Sequence, residues 1–210
     1  MFMRLFNEIN PDIEFKIYDI RQHDLPEDVN ECDSYITTGS RTSTYDELDW
    51  IPPFRNLFKD LFVAKKKLVG VCFGHQLISD TFGGYTELSD KGWGVGVSIN
   101  KIIKSKPWMN PLLDEINIIV SHQDQVTQLP DDAELIAGSD FCPHYMYQIG
   151  NEILTIQGHP EFNKDYSETL MKHRKNKLGD AALQHGLNSL SLEVHADIVM
   201  RWIYNFMCDN

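Results

Sequence analysis

The segment KKLVGVCFGHQLISDTFGG, residues 66–84, constrains the fold more than any other. Its first six residues, Lys66 to Val71, have the length and apolar character of a buried strand. From Gly74 onward the spacing is that of a helix, stopped by Gly83-Gly84. Only Cys72 and Phe73 separate the two, so the chain turns from strand to helix with no loop. Such a corner forces a strained backbone on its central residue, and Gly70 and Gly74 on either side remove the clashes. The corner side chain then projects above the carboxyl edge of a sheet, where open α/β sheets place their sites.

The rest of the chain fits such a sheet. Phe2, Leu5, Phe6 and Ile9 predict an amphipathic helix over 1–10. Ile13, Phe15 and Ile17 alternate with period two and predict a strand over 13–20. SYITTG, residues 34–39, predicts a strand ending at Gly39, followed by a loop, SRTSTYDELDW. Pro52 and Pro53 suit the first turn of a helix whose stripe is Phe54, Leu57, Leu61 and Phe62. Strands over 92–103, 116–122, 133–139, 145–150 and 152–158, joined by short links, predict a mixed or antiparallel extension. The tail from Lys164 reads as helices over YSETLMKHRKNKL, AALQHGL and LEVHADIVMRWIYNFM, and in the last of them Ile198, Val199, Trp202, Ile203 and Phe206 form a stripe that packs back on the sheet. No linker is long or flexible enough to divide the chain. The expectation is one α/β domain over 1–210, a mostly parallel sheet covered by helices on both faces with an antiparallel extension and a helical tail.

Charge and composition narrow the function. A formal net charge of −12 disfavours nucleic acid and anionic membranes, and AKKK at 64–67 and KHRKNK at 172–177 are too short to reverse that field. No apolar run is long enough to cross a membrane. MFMRLFNEIN interrupts its apolar positions with Arg4, Asn7 and Glu8, unlike a secretory leader. Cys32, Cys72, Cys142 and Cys208 show no metal-ligand spacing, so reduced thiols in a cytoplasm, and no metal, are expected.

A lone cysteine is more often a packing residue than a nucleophile. The corner changes that reading for Cys72. The helix starting there points free N–H groups toward the sulfur and favours thiolate, and the Phe73 N–H is placed to bind an oxyanion. A thiolate attacking an amide needs a general base and acid. Of eight histidines, His122 and His159 end apolar strands. In TIQGHPEF, residues 155–162, Glu161 lies two residues beyond His159 and can bend back to hold its tautomer.

These motifs resemble a known family. GVCFGHQ matches the G-x-C-x-G-x-Q nucleophile motif of class I, triad-type glutamine amidotransferases, and GHPEF matches their His-x-Glu motif. The resemblance covers about Ile13 to Phe162 and is closest to the GMP synthase amidotransferase domain and to cytosolic γ-glutamyl peptidases. It implies a flavodoxin-like amidotransferase fold, with Cys72 as nucleophile, His159 as base and acid, and Glu161 behind the imidazole. It also implies an oxyanion hole at Gly39 and Phe73, and substrate contacts at Gln76 and in VSHQDQV, through Ser121, His122, Gln123 and Asp124. No cofactor is implied. Two departures stand out: the family opens with a central strand, whereas this chain starts at the helix that follows it, and Gly39 is followed by SRTS rather than Gly-Pro.

The implied reaction is cleavage of the γ-amide of glutamine through a thioester, with ammonia passed to an acceptor. GGYTELSDKGWGVG lacks the order of a phosphate loop and reads as a turn and strand, so an ATP-activating activity would belong to a separate synthetase subunit. The alternatives are a stand-alone γ-glutamyl peptide hydrolase and a non-catalytic regulatory module. A glutamine-analogue electrophile that labels Cys72 excludes the last.

Overall fold

The computed structural model describes residues 1–209. Stripes at helical spacing form helices and short β-branched runs form strands. In chain order these are α1 (Phe2–Ile9), a short 3-10 turn (Ile20–Gln22), β1 (Ser34–Ile36), α2 (Ile51–Val63), β2 (Lys67–Val71), α3 (Phe73–Thr81), β3 (Tyr85–Leu88) and β4 (Gly94–Ile102). There follow β5 (Glu115–His122), β6 (Asp124–Gln128), β7 (Ala133–Gly138), β8 (Met146–Ile149), β9 (Ile153–Ile156), α4 (Lys164–His173), α5 (Lys175–Ser189) and α6 (Ala196–Cys208). A seven-stranded sheet runs β1-β2-β9-β8-β7-β4-β5, and β3 pairs with β6 apart from it.

Alternation along β2 sorts its side chains between two cores. Leu68 joins Phe54, Phe58, Leu61, Phe73 and Leu77 beneath α2 and α3. Val69 and Val71 join Leu5, Phe6, Trp202, Ile203 and Phe206 beneath α1 and α6. The expected stripe of α6 is therefore buried on the sheet, and helices cover both faces. A smaller cluster, Val95, Met171 and Leu178, seats α4 and α5 on β4. The α5 run contains a break at Gly179, whose φ of 75° is outside helical geometry.

Three expectations need correction. Residues 13–20 form no strand. Ile13 and Phe15 rest on the α1–α6 core, but Ile17 is 72% exposed. Period two describes an extended backbone; a strand also needs an edge to pair with, and this segment joins neither sheet. Among the described residues β1 accordingly ends the sheet, bonded to β2 alone. Second, among the described residues parallel pairing is confined to β1-β2 and β2-β9. The four pairings from β9 to β5 are antiparallel, so the extension outweighs the parallel part. Third, the helix over LEVHADIVMRWIYNFM begins only at Ala196.

Candidate active site

β2 ends at Val71 and α3 begins at Phe73, with Cys72 as the single corner residue. Its φ of 52° and ψ of −100° lie in a sparsely populated region, which costs on the order of 1–3 kcal/mol and is held by its surroundings. The surroundings are visible. The Cys72 N–H donates to the Ile156 carbonyl at 2.9 Å, tying the corner to β9. A Cβ on Gly74 would lie 1.7 Å from the Thr37 hydroxyl, and that hydroxyl accepts from the Val71 N–H at 3.2 Å. Only glycine lets the first turn of α3 come so close to the end of β1. Phe73 is the first residue of α3, so its N–H has no intrahelical acceptor.

His159 lies just past the end of β9, held by its own N–H donating to the Ile119 carbonyl at 2.8 Å. Its Nδ1–H donates to Glu161 Oε1 at 2.8 Å, and both side chains are buried. The Phe162 ring stacks on the imidazole at 4.1 Å and 6°. The loop at Gly39 joins the two halves. A Cβ on Gly39 would lie 2.7 Å from His159 Cε1, 3.6 Å from His159 Nε2 and 3.5 Å from Cys72 Cβ. The imidazole and the cysteine thus crowd one space over a glycine. Burial works against charge on His159, but the neighbouring Cys72 sulfur, and then Glu161, outweigh it and raise the imidazole to about 10.

The implied binding residues divide. Gln76 is buried, and its Nε2 donates both to the Asp124 carbonyl at 2.8 Å and to Gln157 Oε1 at 3.0 Å. Asp124 holds its carboxylate between the Ser43 hydroxyl at 2.5 Å and the Tyr45 hydroxyl at 3.1 Å. His122 Nδ1–H donates to the Asp124 carbonyl at 3.1 Å, and burial holds this imidazole down at about 4, so it is neutral at pH 7. Gln123 contributes its carbonyl, which accepts from Ser89 N–H at 3.2 Å. Ser121 stands apart: its hydroxyl accepts from Arg174 at 2.9 Å, where α4 meets α5.

Sequence reasoning missed Gln157, Phe162, Ser43 and Tyr45. Gln157 is fully buried, with Nε2 3.6 Å from Cys72 Sγ. The available signal was a polar residue continuing β9 two positions before His159, in TIQGH. Ser43 and Tyr45 reach Asp124 across 81 and 79 residues, and nothing local marks them.

Known proteins resemble this chain. The "Putative glutamine amidotransferase YLR126C" of Saccharomyces cerevisiae is 28% identical over 81% of this chain and 70% of its own. Gamma-glutamyl peptidase 3 of Arabidopsis thaliana is 34% identical over 66% of this chain and 58% of its own, so this chain spans little more than half the length of that relative. A crystal structure of a glutamine amidotransferase from Thermotoga maritima aligns with all of this chain and 92% of its own at a TM-score of 0.84 and 17% identity, a likeness of fold. The sequence model of glutamine amidotransferase class-I matches residues 13–175, a span that holds the cysteine corner, the His159–Glu161 pair and the strands between them; the chain belongs to that family.

Proposed function

We propose that this chain is a cysteine hydrolase cleaving the γ-amide of glutamine, with Cys72, His159 and Glu161 as its triad. The observation that carries the reading is His159, packed against Cys72 over Gly39 and bonded through Nδ1 to a buried Glu161. Cys72 thiolate attacks the γ-carbonyl carbon, and the carbonyl electron pair moves to oxygen. Gly39 and Phe73 N–H groups receive that oxyanion; such donors are typically worth about 3–4 kcal/mol each. The C–N bond breaks as imidazolium His159 gives its proton to the leaving nitrogen. Neutral His159 then takes a proton from water, hydroxide attacks the thioester, and thiolate leaves glutamate behind. Gln76, His122, Gln123 and Asp124 form the pocket wall in this reading, which places the reaction within one domain. Ser121, whose hydroxyl accepts from Arg174, is left out of that wall. The four free cysteines support a reducing, cytoplasmic setting. Ammonia then passes to an acceptor or a separate synthetase subunit.

A second reading is favoured by the 34% identity to an Arabidopsis γ-glutamyl peptidase: the leaving nitrogen belongs to a peptide rather than to ammonia. One assay separates them. Ammonia release from free glutamine is measured beside amine release from γ-glutamyl peptides, with Cys72→Ala as control. The Cys72→Ala protein is expected to lose both activities by at least a thousandfold, and full retention of either rejects the triad assignment.

A further inference from the structure

We infer that Gln157 is a thiolate-binding group of this site and that Gln76 aims it. The inference rests on the reading of Cys72 as nucleophile and adds a residue to it. The orientation follows from one atom that cannot donate. The Asp124 carbonyl accepts only, so the Gln76 atom 2.8 Å from it is Nε2. That same nitrogen lies 3.0 Å from the Gln157 amide, so the Gln157 atom facing it is Oε1. Gln157 Nε2 is thereby turned toward Cys72 Sγ, 3.6 Å away. The chain of three contacts leaves neither amide free to flip.

Gln157 is fully buried, and no solvent competes for this N–H. A neutral thiol is a weak acceptor and a thiolate a strong one, so the contact favours the charged sulfur, and more so away from water. The backbone holds the donor in place as well: Gln157 N–H donates to the Tyr145 carbonyl at 2.8 Å. Gln76 touches no reacting atom in this arrangement. It is a positioning residue, with both N–H groups engaged within the protein and Oε1 left as its acceptor.

The test is the pH profile of Cys72 alkylation by iodoacetamide in the full chain, read on the Cys72 peptide by mass spectrometry. In Gln157→Met the profile is expected to move up by about one pH unit, a roughly tenfold slower reaction on its acid side. In Gln157→Glu it moves further, since a carboxylate replaces the donor. A purely structural role would change thermal stability without displacing the profile, and an undisplaced profile in folded Gln157→Met overturns the inference. Should neither Gln157 variant fold, Gln76→Met decides: it leaves Gln157 present but unaimed, an upward displacement supports the inference, and none overturns it. Labelling needs no turnover. Absence of hydrolysis in the wild type therefore counts against the proposed reaction, while the Gln157 displacement is still read.

Discussion

His159 holds the proton on which the proposed chemistry turns. Burial opposes its charge most strongly, yet Cys72 and Glu161 together raise it to about 10. A raised value means imidazolium at neutral pH, with the proton lost as pH rises through about 10. Hydrolysis should therefore show an alkaline limb near that pH, where the leaving nitrogen loses its donor. The stability from this pairing has the same sign: full below the ordinary imidazole value of 6.5, fading as pH climbs through about 10. Glu161→Gln removes part of what raises His159, so the limb should shift to lower pH and kcat should fall roughly a hundredfold or more. Profiles of kcat and of kcat/KM against pH check the two, and an unshifted limb would detach Glu161 from the imidazole. Cys72, His159 and Glu161 were legible because each sits in a local signature, a glycine-flanked corner or a strand end. Gln157 was not, because its meaning lies in Gln76, 81 residues away.

The loop from Thr38 to Trp50 behaves as a strap beside Gly39. Thr44 donates to Asp80 at 2.6 Å, and Arg55 donates to the Thr44 carbonyl at 3.2 Å, so the loop is fastened to α3 and α2. Ser43 and Tyr45 fasten it to Asp124 at the start of β6. Replacing both, as Ser43→Ala with Tyr45→Phe, leaves the buried Thr44 anchor intact and frees the Asp124 carboxylate. Two hydrogen bonds to a charged acceptor are lost, and KM for glutamine is expected to rise about tenfold with kcat changed far less. Steady-state kinetics reads the split; an unchanged KM would place Asp124 outside the pocket. The same scale shows where periodicity stops being informative. The runs YTEL and DQVTQ carry almost no apolar alternation, and what makes β3 and β6 strands is their pairing with each other, Thr86 opposite Val126. Residues 13–20 show the reverse, with clear alternation and no partner. Helices such as α2 and α6 were easier to read, since their hydrogen bonds are internal and only the apolar face depends on the rest of the fold.

At the level of the whole molecule, the cysteine corner shares its core with side chains from the far end of the chain. Trp202 of α6 is fully buried, and its Nε1–H donates to the Pro111 carbonyl at 2.8 Å. Its ring meets Trp108 edge-on at 6.3 Å, and Asn205 holds the Trp108 carbonyl at 3.0 Å. The cluster containing these side chains also contains Val69, Val71 and Cys72. α6 is thus packed beneath β2, the strand that presents the sulfur. Trp202→Ala would open a large cavity and orphan the Pro111 carbonyl, costing about 3–5 kcal/mol from the cavity alone. Against a typical total of about 5–15 kcal/mol, that loss should lower the urea midpoint sharply. Any active fraction remaining in the absence of urea should keep its KM, because Trp202 belongs to the core beneath β2 and not to the residues proposed for the pocket wall. An unfolding midpoint equal to that of the wild type would instead mark α6 as a separable layer, and the corner at Cys72 would then be held by β9 and Thr37 without it.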